Sequence, residues 1–235
     1  TLVVGLDGWS FRFMDPSHVA MLEGSIPKEY FYEYDCRKEG AFAIDCEQLI
    51  RLLKGVKKDQ DVTLILEDGE KIGFEIAGET FTVKRLTPYH SNIPEPTVAF
   101  EASIILDYRS LLEAVKKAEQ VSDQIILVAT SEGLAVRAWG EAGEYERVFK
   151  RDDPALLDLE VDKPCGAIYG VYLLEKLLSF KSPVITLNFA TDKPLKITFD
   201  LGLCRLAAWE APRIDGGYEQ DETVWIQAPV EAVED

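Results

Sequence analysis

The stretch EQLIRLLKGVKKDQDVTL, residues 47–64, holds the pattern on which the fold prediction rests. Residues 47–58 predict an amphipathic helix, because apolar and basic side chains fall on opposite sides at helical spacing. The apolar side consists of Leu49, Leu52, Leu53 and Val56, and the basic side includes Arg51, Lys54 and Lys58. Residues 62–66 then alternate as a strand does. A short helix followed within a few residues by a strand is the unit that recurs along this chain.

Two further windows, 108–120 and 172–181, show the same helical spacing. In the second helix Leu111, Leu112, Val115 and Ala118 face inward. Most of the remaining sequence alternates as strands separated by turn signals such as Asp68-Gly69 and Glu132-Gly133. The predicted strands are 1–4, 10–13, 62–66, 71–75, 80–83, 125–128, 134–138, 184–189 and 195–199. The predicted class is α+β with antiparallel sheets.

The chain also repeats itself with an offset of about 125 residues. Three helix leucines, Leu49, Leu52 and Leu53, fall on Leu174, Leu177 and Leu178. Strand residues 71–74 likewise fall on 196–199, both with the pattern Lys-Ile-x-Phe. We predict two similar domains, 1–84 and 101–214, joined by a proline-containing connector, 85–100, and followed by an acidic tail, 215–235.

The repeat is incomplete at its beginning. The second copy starts with a strand and a helix, 101–124, whereas Thr1 already corresponds to Ile126. We therefore expect the natural chain to carry an N-terminal strand and helix of about 25 residues that this sequence lacks.

Composition excludes several classes of protein. With 235 residues, 47% of them hydrophobic, the chain can bury one large core or two modest ones. No apolar run approaches the roughly 18 residues of a membrane span, so no membrane association is expected. The four cysteines form no CxxC pair and there are only two histidines, so a zinc module is not expected.

Positive charge is concentrated on the three helical windows. The chain has a net charge of −17, which as a total argues against nucleic acid. The windows, however, hold nine basic and four acidic residues, so that the other 200 residues carry −22. The basic residues are Arg51, Lys54, Lys57, Lys58, Arg109, Lys116, Lys117, Lys176 and Lys181. For any single helix, solubility explains such lysines; the same bias in three helices suits a protein that surrounds DNA without reading its sequence.

Signatures of catalysis do not stand out. The sequence contains no Walker A motif, GxGxxG, GxSxG or HExxH. With 42 acidic residues, pairs of carboxylates arise by chance. We expect no enzymatic activity, no catalytic residue, no metal and no cofactor.

The segments MDPSHVA, 14–20, and APRI, 211–214, resemble the proliferating cell nuclear antigen family, the sliding clamps of archaea and eukaryotes, and most of all its archaeal members. Residues 47–64, 93–95 and 191–196 support the resemblance. It implies a DNA clamp fold in which three subunits, identical or different, form a ring with helices inside and sheets outside. Such a ring encircles double-stranded DNA in the nucleoid, within the cytoplasm. It tethers DNA polymerase, ligase and flap nuclease as a processivity factor in replication and repair, after a clamp loader opens it.

The resemblance also implies roles for residues. The nine basic residues would contact phosphates. Partner proteins would insert a peptide with a glutamine and two aromatics into a pocket. By similarity the pocket comprises Met14, His18, Val19, Met21, Ile93, Pro194, Trp209, Ala211 and Pro212. Without the motif, ordinary packing explains any one of them. Strand 79–86 of one subunit would join strand 157–162 of the next.

Two departures from the family pattern affect this site. Glu210 stands where an aliphatic residue is usual, and we expect its carboxylate beside the groove to repel some partners or favour basic ones. The tail carries Val224-Trp225-Ile226, which we expect to compete for the groove of its own subunit. The alternative functions are a peptide-binding interaction module, a subunit of a heteromeric ring that does not encircle DNA alone, or an enzyme of unrecognised type.

Overall fold

The computed structural model describes residues 1–67, 69–88 and 93–214. Contacts divide the chain into two compact units. Unit 1 comprises Thr1–Phe13 and Ser25–Ile93, and unit 2 comprises Met14–Gly24 and the described part of Pro94–Asp235. The tail and its Val224-Trp225-Ile226 segment lie outside the described residues, as do connector residues 89–92.

The elements follow in chain order as β1 (Leu2–Gly5), β2 (Gly8–Met14), β3 (Ala20–Pro27), β4 (Gly40–Phe42), α1 (Cys46–Leu53), β5 (Val62–Ile65), β6 (Lys71–Ile76), β7 (Glu79–Lys84), β8 (Ala102–Asp107), α2 (Tyr108–Glu119), β9 (Gln124–Thr130), β10 (Gly133–Gly140), β11 (Gly143–Lys150), β12 (Leu156–Val161), β13 (Cys165–Gly170), α3 (Val171–Leu177), β14 (Val184–Phe189), β15 (Leu195–Leu201) and β16 (Cys204–Glu210). A 3-10 turn, Lys28–Tyr30, follows β3. In the part of the chain that is described, no helix is long and apolar enough to cross a membrane.

Unit 1 packs antiparallel strands against α1. β1 pairs with β2 and β4, and β5, β6 and β7 form a three-stranded sheet. The buried cluster consists of Val4, Phe42, Ile72, Phe74, Ile76 and Val83. Leu49, Leu52 and Val56 pack against it, as predicted for the apolar side of α1. The prediction for Leu53 is wrong, since its side chain is 36% exposed.

Unit 2 contains two antiparallel runs of strands, in the orders β12-β8-β14-β15-β16 and β11-β10-β9-β13. α2 and α3 pack against each other and bury their leucines in the core, with Leu111 and Leu174 both 0% exposed. Asp107 caps α2, because its Oδ2 accepts a hydrogen bond of 2.8 Å from the amide of Ser110. The antiparallel α+β class is confirmed.

The two units differ at the helix that the sequence repeat makes equivalent. In unit 2, α3 is covered by α2, and β14 pairs with β8 on one side and β15 on the other. Among the described residues, unit 1 holds no counterpart of β8 and α2. Ile50 of α1 is accordingly 65% exposed, and Val62 of the edge strand β5 is 40% exposed.

Two of the three predicted helices are shorter than expected. α1 ends at Leu53 rather than at residue 58, and the amide of Val56 bonds back to Leu53 O at 3.1 Å beyond Gly55. Glycine is a poor helix former, which favours the stop there. α3 ends at Leu177 rather than at 181, where the Ser179 amide bonds back to Lys176 O at 3.1 Å in a tightened last turn, and β14 starts at Val184. α2 agrees with its predicted window to within one residue.

Candidate functional site

The basic residues of unit 2 lie on the exposed sides of α2 and α3. Lys116 reaches across from α2 to Glu175 of α3, with Nζ 3.9 Å from Oε1. Lys117 pairs with Glu113 one turn earlier at 2.8 Å. Lys176 lies 5.3 Å from the ring of Tyr172. Because these contacts are at the surface, they leave the cations accessible to a phosphate at little cost.

Arg109 at the start of α2 and Lys181 beyond α3 are also exposed. Neither forms an ion pair with any described residue. Unit 2 therefore presents five exposed cations on one helix pair and the turn that follows it.

Unit 1 presents its own basic group on α1 and the following turn. Arg51 pairs with Glu47 at 3.6 Å, and Lys54 is the C-terminal cap of the helix. Lys57 and Lys58 lie in the turn, which closes through a 2.9 Å bond from the Lys57 amide to Gln60 Oε1. All four cations are exposed. Such a group attracts a phosphate backbone without regard to sequence.

Residues 14–20, which we call the Asp15 loop, are held by one carboxylate and by two backbone bonds, from the His18 amide to Asp15 O at 3.0 Å and from the Asp15 amide to Ala20 O at 2.9 Å. Asp15 Oδ1 accepts the amides of Val19 at 2.8 Å and Ala20 at 2.6 Å. Oδ2 accepts the Ser17 amide at 3.0 Å and a short bond from the Ser17 hydroxyl. His18 adopts a φ of +61°, a left-handed conformation that the loop imposes.

The electrostatics of Asp15 agree with this role. Partial burial raises the pKa of the carboxyl, but the hydrogen bonds from Ser17, Ala20 and Val19 outweigh it and place the pKa below its ordinary value. The ionised form is thus the one that organises the loop. Sequence reasoning assigned no role to Asp15, although Asp followed by Pro-Ser is a signal for a side-chain-capped turn.

The chain after β16 joins the Asp15 loop directly. The Ala211 amide donates to Val19 O at 2.8 Å. Just before it, Trp209 donates from Nε1 to Glu23 Oε1 at 3.1 Å. Lys196 covers the indole at 4.7 Å from its centre and pairs with Glu95 at 3.3 Å. These bonds place a loop, a tryptophan and a Pro-containing segment side by side.

The predicted pocket residues divide by unit and by burial. Unit 2 contains Met14, His18, Val19, Met21, Pro194, Trp209, Ala211 and Pro212. Ile93 ends unit 1, where its carbonyl accepts a 2.9 Å bond from Arg12 Nη1. Met21 and Trp209 are each only 3% exposed, whereas Val19 is 42% exposed. A ligand can reach the exposed residues His18 and Val19 and, in part, the half-buried residues Met14, Pro194, Ala211 and Pro212.

Glu210 does not border this surface, so the expectation for its carboxylate is wrong. The side chain is 2% exposed, on the opposite face of β16 from Trp209. Its Oε1 accepts the Gly170 amide at 2.7 Å, at the start of α3. Burial raises the pKa of Glu210 to about 8, against the opposing effects of that hydrogen bond and of Arg213.

The two strands expected at a subunit contact are both edge strands. Among the described residues, β7 pairs with β6 alone and β12 with β8 alone. Glu79 and Lys84 are exposed on β7, and Asp158 and Glu160 are exposed on β12. An unpaired strand edge is a template for strand pairing between copies.

Among the described residues, no cluster of three or more His, Cys, Asp and Glu side chains is suited to hold a metal ion. The site as described therefore consists of two groups of surface cations, a capped loop beside a tryptophan, and two open strand edges.

Comparisons with known proteins match this chain to one protein family. The model of the proliferating cell nuclear antigen N-terminal domain matches residues 3–81. DNA polymerase sliding clamps of Thermococcus gammatolerans and Pyrococcus horikoshii are 31% and 32% identical over 220 residues, covering 89% of this chain and 86% of theirs.

Solved structures are similar over almost the same extent. The proliferating cell nuclear antigen of Thermococcus kodakaraensis superposes with a TM-score of 0.86 at 26% identity, over 90% of this chain and 89% of that one. The A. fulgidus protein, solved with the C-terminal region of FEN-1, gives a TM-score of 0.83 at 22% identity over 91% of this chain and 89% of that one, which shows the fold alone.

Proposed function

The chain belongs to the proliferating cell nuclear antigen family of DNA sliding clamps, and we propose that it forms a ring that encircles double-stranded DNA and tethers replication and repair proteins to it. The observation that carries the proposal is the concentration of nine exposed cations on the helices and their following turns, in a chain of net charge −17. An acidic protein repels DNA everywhere except where such a group faces it.

The DNA-binding residues we propose are Arg51, Lys54, Lys57, Lys58, Arg109, Lys116, Lys117, Lys176 and Lys181. Flexible lysines contact phosphates as point charges and hold no fixed register on the bases. Contacts of this kind suit a protein that slides along a duplex rather than stopping at a sequence.

A closed ring follows if the edge of β7 in one copy pairs with the edge of β12 in the next. Such a contact joins different surfaces of two subunits, and it closes on itself when the rotation between copies divides a full turn. Three copies are the number that family membership supports. Pairing of β12 with β12 would bring Asp158 and Glu160 of two copies together, whereas pairing with β7 offers them Lys84, and each subunit of the ring supplies both edges.

The peptide site we propose is the surface around the Asp15 loop. A partner's short peptide would lay its aromatic side chains on Val19, Ala211 and Pro212, with Trp209 and Met21 as the packed support beneath. A rigid loop lowers the entropic cost of binding such a peptide. Through this surface the clamp would hold polymerase, ligase and flap nuclease, and the clamp loader during ring opening.

A clamp of this kind performs no chemistry itself, and we propose that this chain is not an enzyme. It would act on the DNA inside the cell, in the nucleoid.

Neutralising part of the basic group tests the DNA assignment. The variant Arg51→Ala/Lys54→Ala/Lys58→Ala is compared with Lys38→Ala/Lys150→Ala/Lys193→Ala, which removes the same charge from exposed positions outside the helices and their turns. Binding to a 30-base-pair duplex is measured by fluorescence anisotropy from 50 to 200 mM KCl. Each lost phosphate contact lowers the slope of log K against log salt by about 0.9.

We expect the helix variant to lose slope and affinity while it binds partner peptide normally, and the control to change little. Equal losses in the two variants would show that only net charge matters and would refute the DNA-facing assignment. Loss of peptide binding in the helix variant would indicate damage to the fold.

A further inference from the structure

The end of β16 carries a buried acid that the proposed function does not use. Glu210 is 2% exposed, and its Oε1 is bonded to the Gly170 amide at 2.7 Å. Its Oε2 is buried and has no hydrogen-bond partner among the described residues. An ionised carboxylate oxygen that is buried without a partner raises the free energy of the folded state. Ionisation of Glu210 therefore favours any rearrangement that brings a donor to Oε2.

One cation, Arg213, lies close enough to pair with Glu210 when its carboxyl ionises. Arg213 Nη1 bonds Asp123 Oδ2 at 2.8 Å, on the exposed side. A Cβ added to Gly170 would lie 3.4 Å from Glu210 Oε1 and 3.5 Å from both Nε and Nη2 of Arg213. The carboxylate and the guanidinium are therefore within about 7 Å of each other across Gly170. Because residue 170 is a glycine, no side chain stands between them.

We propose that Glu210 and Arg213 form a proton-controlled switch, in which Arg213 binds Asp123 while Glu210 is protonated and moves to Glu210 when that carboxyl ionises. The burial that raises the pKa of Glu210 to about 8 places the transition near neutral pH. Ionisation leaves a buried charge whose nearest cation is Arg213, and the ion pair with the 77% exposed Asp123 is the weaker competitor.

The other groups around Glu210 do not replace Arg213 in this role. Tyr169 on β13 is 0% exposed and donates its hydroxyl hydrogen to Lys193 O at 2.8 Å. That hydrogen is therefore not available to the Glu210 carboxylate. Asp123 is an anion and faces Arg213 rather than Glu210. The Gly170 amide at the start of α3 serves either form of Glu210 as donor.

The switch acts on the segment between its two members. Ala211 and Pro212 connect Glu210 to Arg213, and the Ala211 amide holds Val19 O of the Asp15 loop. The Arg213 amide is itself anchored on Ile168 O at 2.8 Å, so a movement of its side chain strains this short segment. We infer that ionisation weakens peptide binding; this second statement rests on the proposed function, whereas the switch itself does not.

The test compares wild type with Glu210→Gln, which stays neutral at every pH, and with Arg213→Met. Thermal stability is recorded from pH 6 to pH 9.5, together with the carboxyl ¹³C shift of Glu210. The switch predicts a shift midpoint near pH 8, a wild-type melting temperature that falls relative to Glu210→Gln as pH rises toward the midpoint and levels off above it, and a higher midpoint in Arg213→Met. Parallel melting curves for wild type and Glu210→Gln, or an unchanged midpoint in Arg213→Met, would overturn it.

Peptide affinity over the same range tests the consequence separately. If binding raises the pKa of Glu210 by one unit, wild-type affinity falls about fivefold from pH 7 to pH 9, while that of Glu210→Gln stays level. A titrating switch with level wild-type affinity would refute the link to peptide binding. No peptide binding at any pH would refute the proposed function and leave the switch to the stability measurement.

Discussion

Replacing Asp15 with asparagine is expected to loosen the Asp15 loop and to weaken peptide binding. The carboxylate accepts four hydrogen bonds, from the amides of Val19, Ala20 and Ser17 and from the Ser17 hydroxyl. Asparagine keeps one accepting oxygen for Val19 and Ala20. Its amide nitrogen would face the Ser17 amide and hydroxyl, donor against donor.

The size of the effect follows from those lost bonds. At about 1 kcal/mol net for each, the ordered loop loses about 2 kcal/mol. If a peptide binds only the ordered loop, affinity falls by up to about 30-fold. The backbone bonds from His18 to Asp15 O and from Asp15 to Ala20 O remain, so the loop loosens rather than unfolds.

Two measurements check this prediction. Fluorescence anisotropy with a labelled peptide containing a glutamine and two aromatics gives the affinity, and hydrogen exchange at the amides of Val19 and Ala20 reports on the loop. Asp200→Asn is the matched control, since the exposed Asp200 carboxylate near the end of β15 accepts, among the described residues, only the Gly202 amide at 3.2 Å. Wild-type affinity and unchanged exchange in Asp15→Asn would refute the reasoning.

The pH dependence of Asp15 has a definite sign. Because the folded pKa lies below the ordinary value of 3.8, the stabilisation is present above that value and is lost as pH falls through the folded pKa. Within pH 5 to pH 7, the Asp15 loop of wild type should therefore stay ordered, with slow exchange of the Val19 and Ala20 amides.

Three further outcomes are expected. Glu160→Lys should raise the dissociation constant of the subunit contact at least tenfold, as measured by light scattering, and adding Lys84→Glu should restore part of the assembly. No effect of either variant would contradict the pairing of β7 with β12. Lys196→Ala should increase acrylamide quenching of Trp209 and lower the free energy of unfolding in urea by about 1 kcal/mol, because the cation over the indole and its ion pair with Glu95 are lost. Unchanged quenching would show that Lys196 does not cover the ring. Burial raises the pKa of Cys165 to about 12, so its thiol should resist a thiol reagent at pH 8 until the protein unfolds, while the exposed Cys46 reacts at once; equal rates would contradict the burial of Cys165.

Strands with one clear face were predicted most closely, although β9 was also predicted while being buried on both faces. β14 was predicted residue for residue, because Val184–Phe189 alternates between buried and half-buried positions. β13 was missed, since its sequence CGAIYG mixes glycine with apolar residues and shows no alternation. β16 was missed for a related reason: Leu206–Glu210 is buried on both faces, and burial on both faces erases the period of two.

The part of the candidate site that consists of charged residues at helical spacing was predictable from the sequence. The exposed cations of α1 and α2 follow from helical spacing alone. The Asp15 loop depends on hydrogen bonds among neighbours, which no periodic pattern records. Glu210 looked like a surface carboxylate because of its charge, and only the fold reveals that Gly170, 40 residues away, brings a backbone amide to it.

Topological linkage to DNA tests the central claim most directly. The chain is loaded on nicked circular duplex DNA with an archaeal clamp loader and ATP, separated from free protein by gel filtration, and the DNA is then cut once with a restriction enzyme. A clamp stays with the circle at moderate salt and is lost when the DNA becomes linear, because a ring slides off an end. Equal retention on circular and linear DNA, or none on either, would contradict encirclement by this chain.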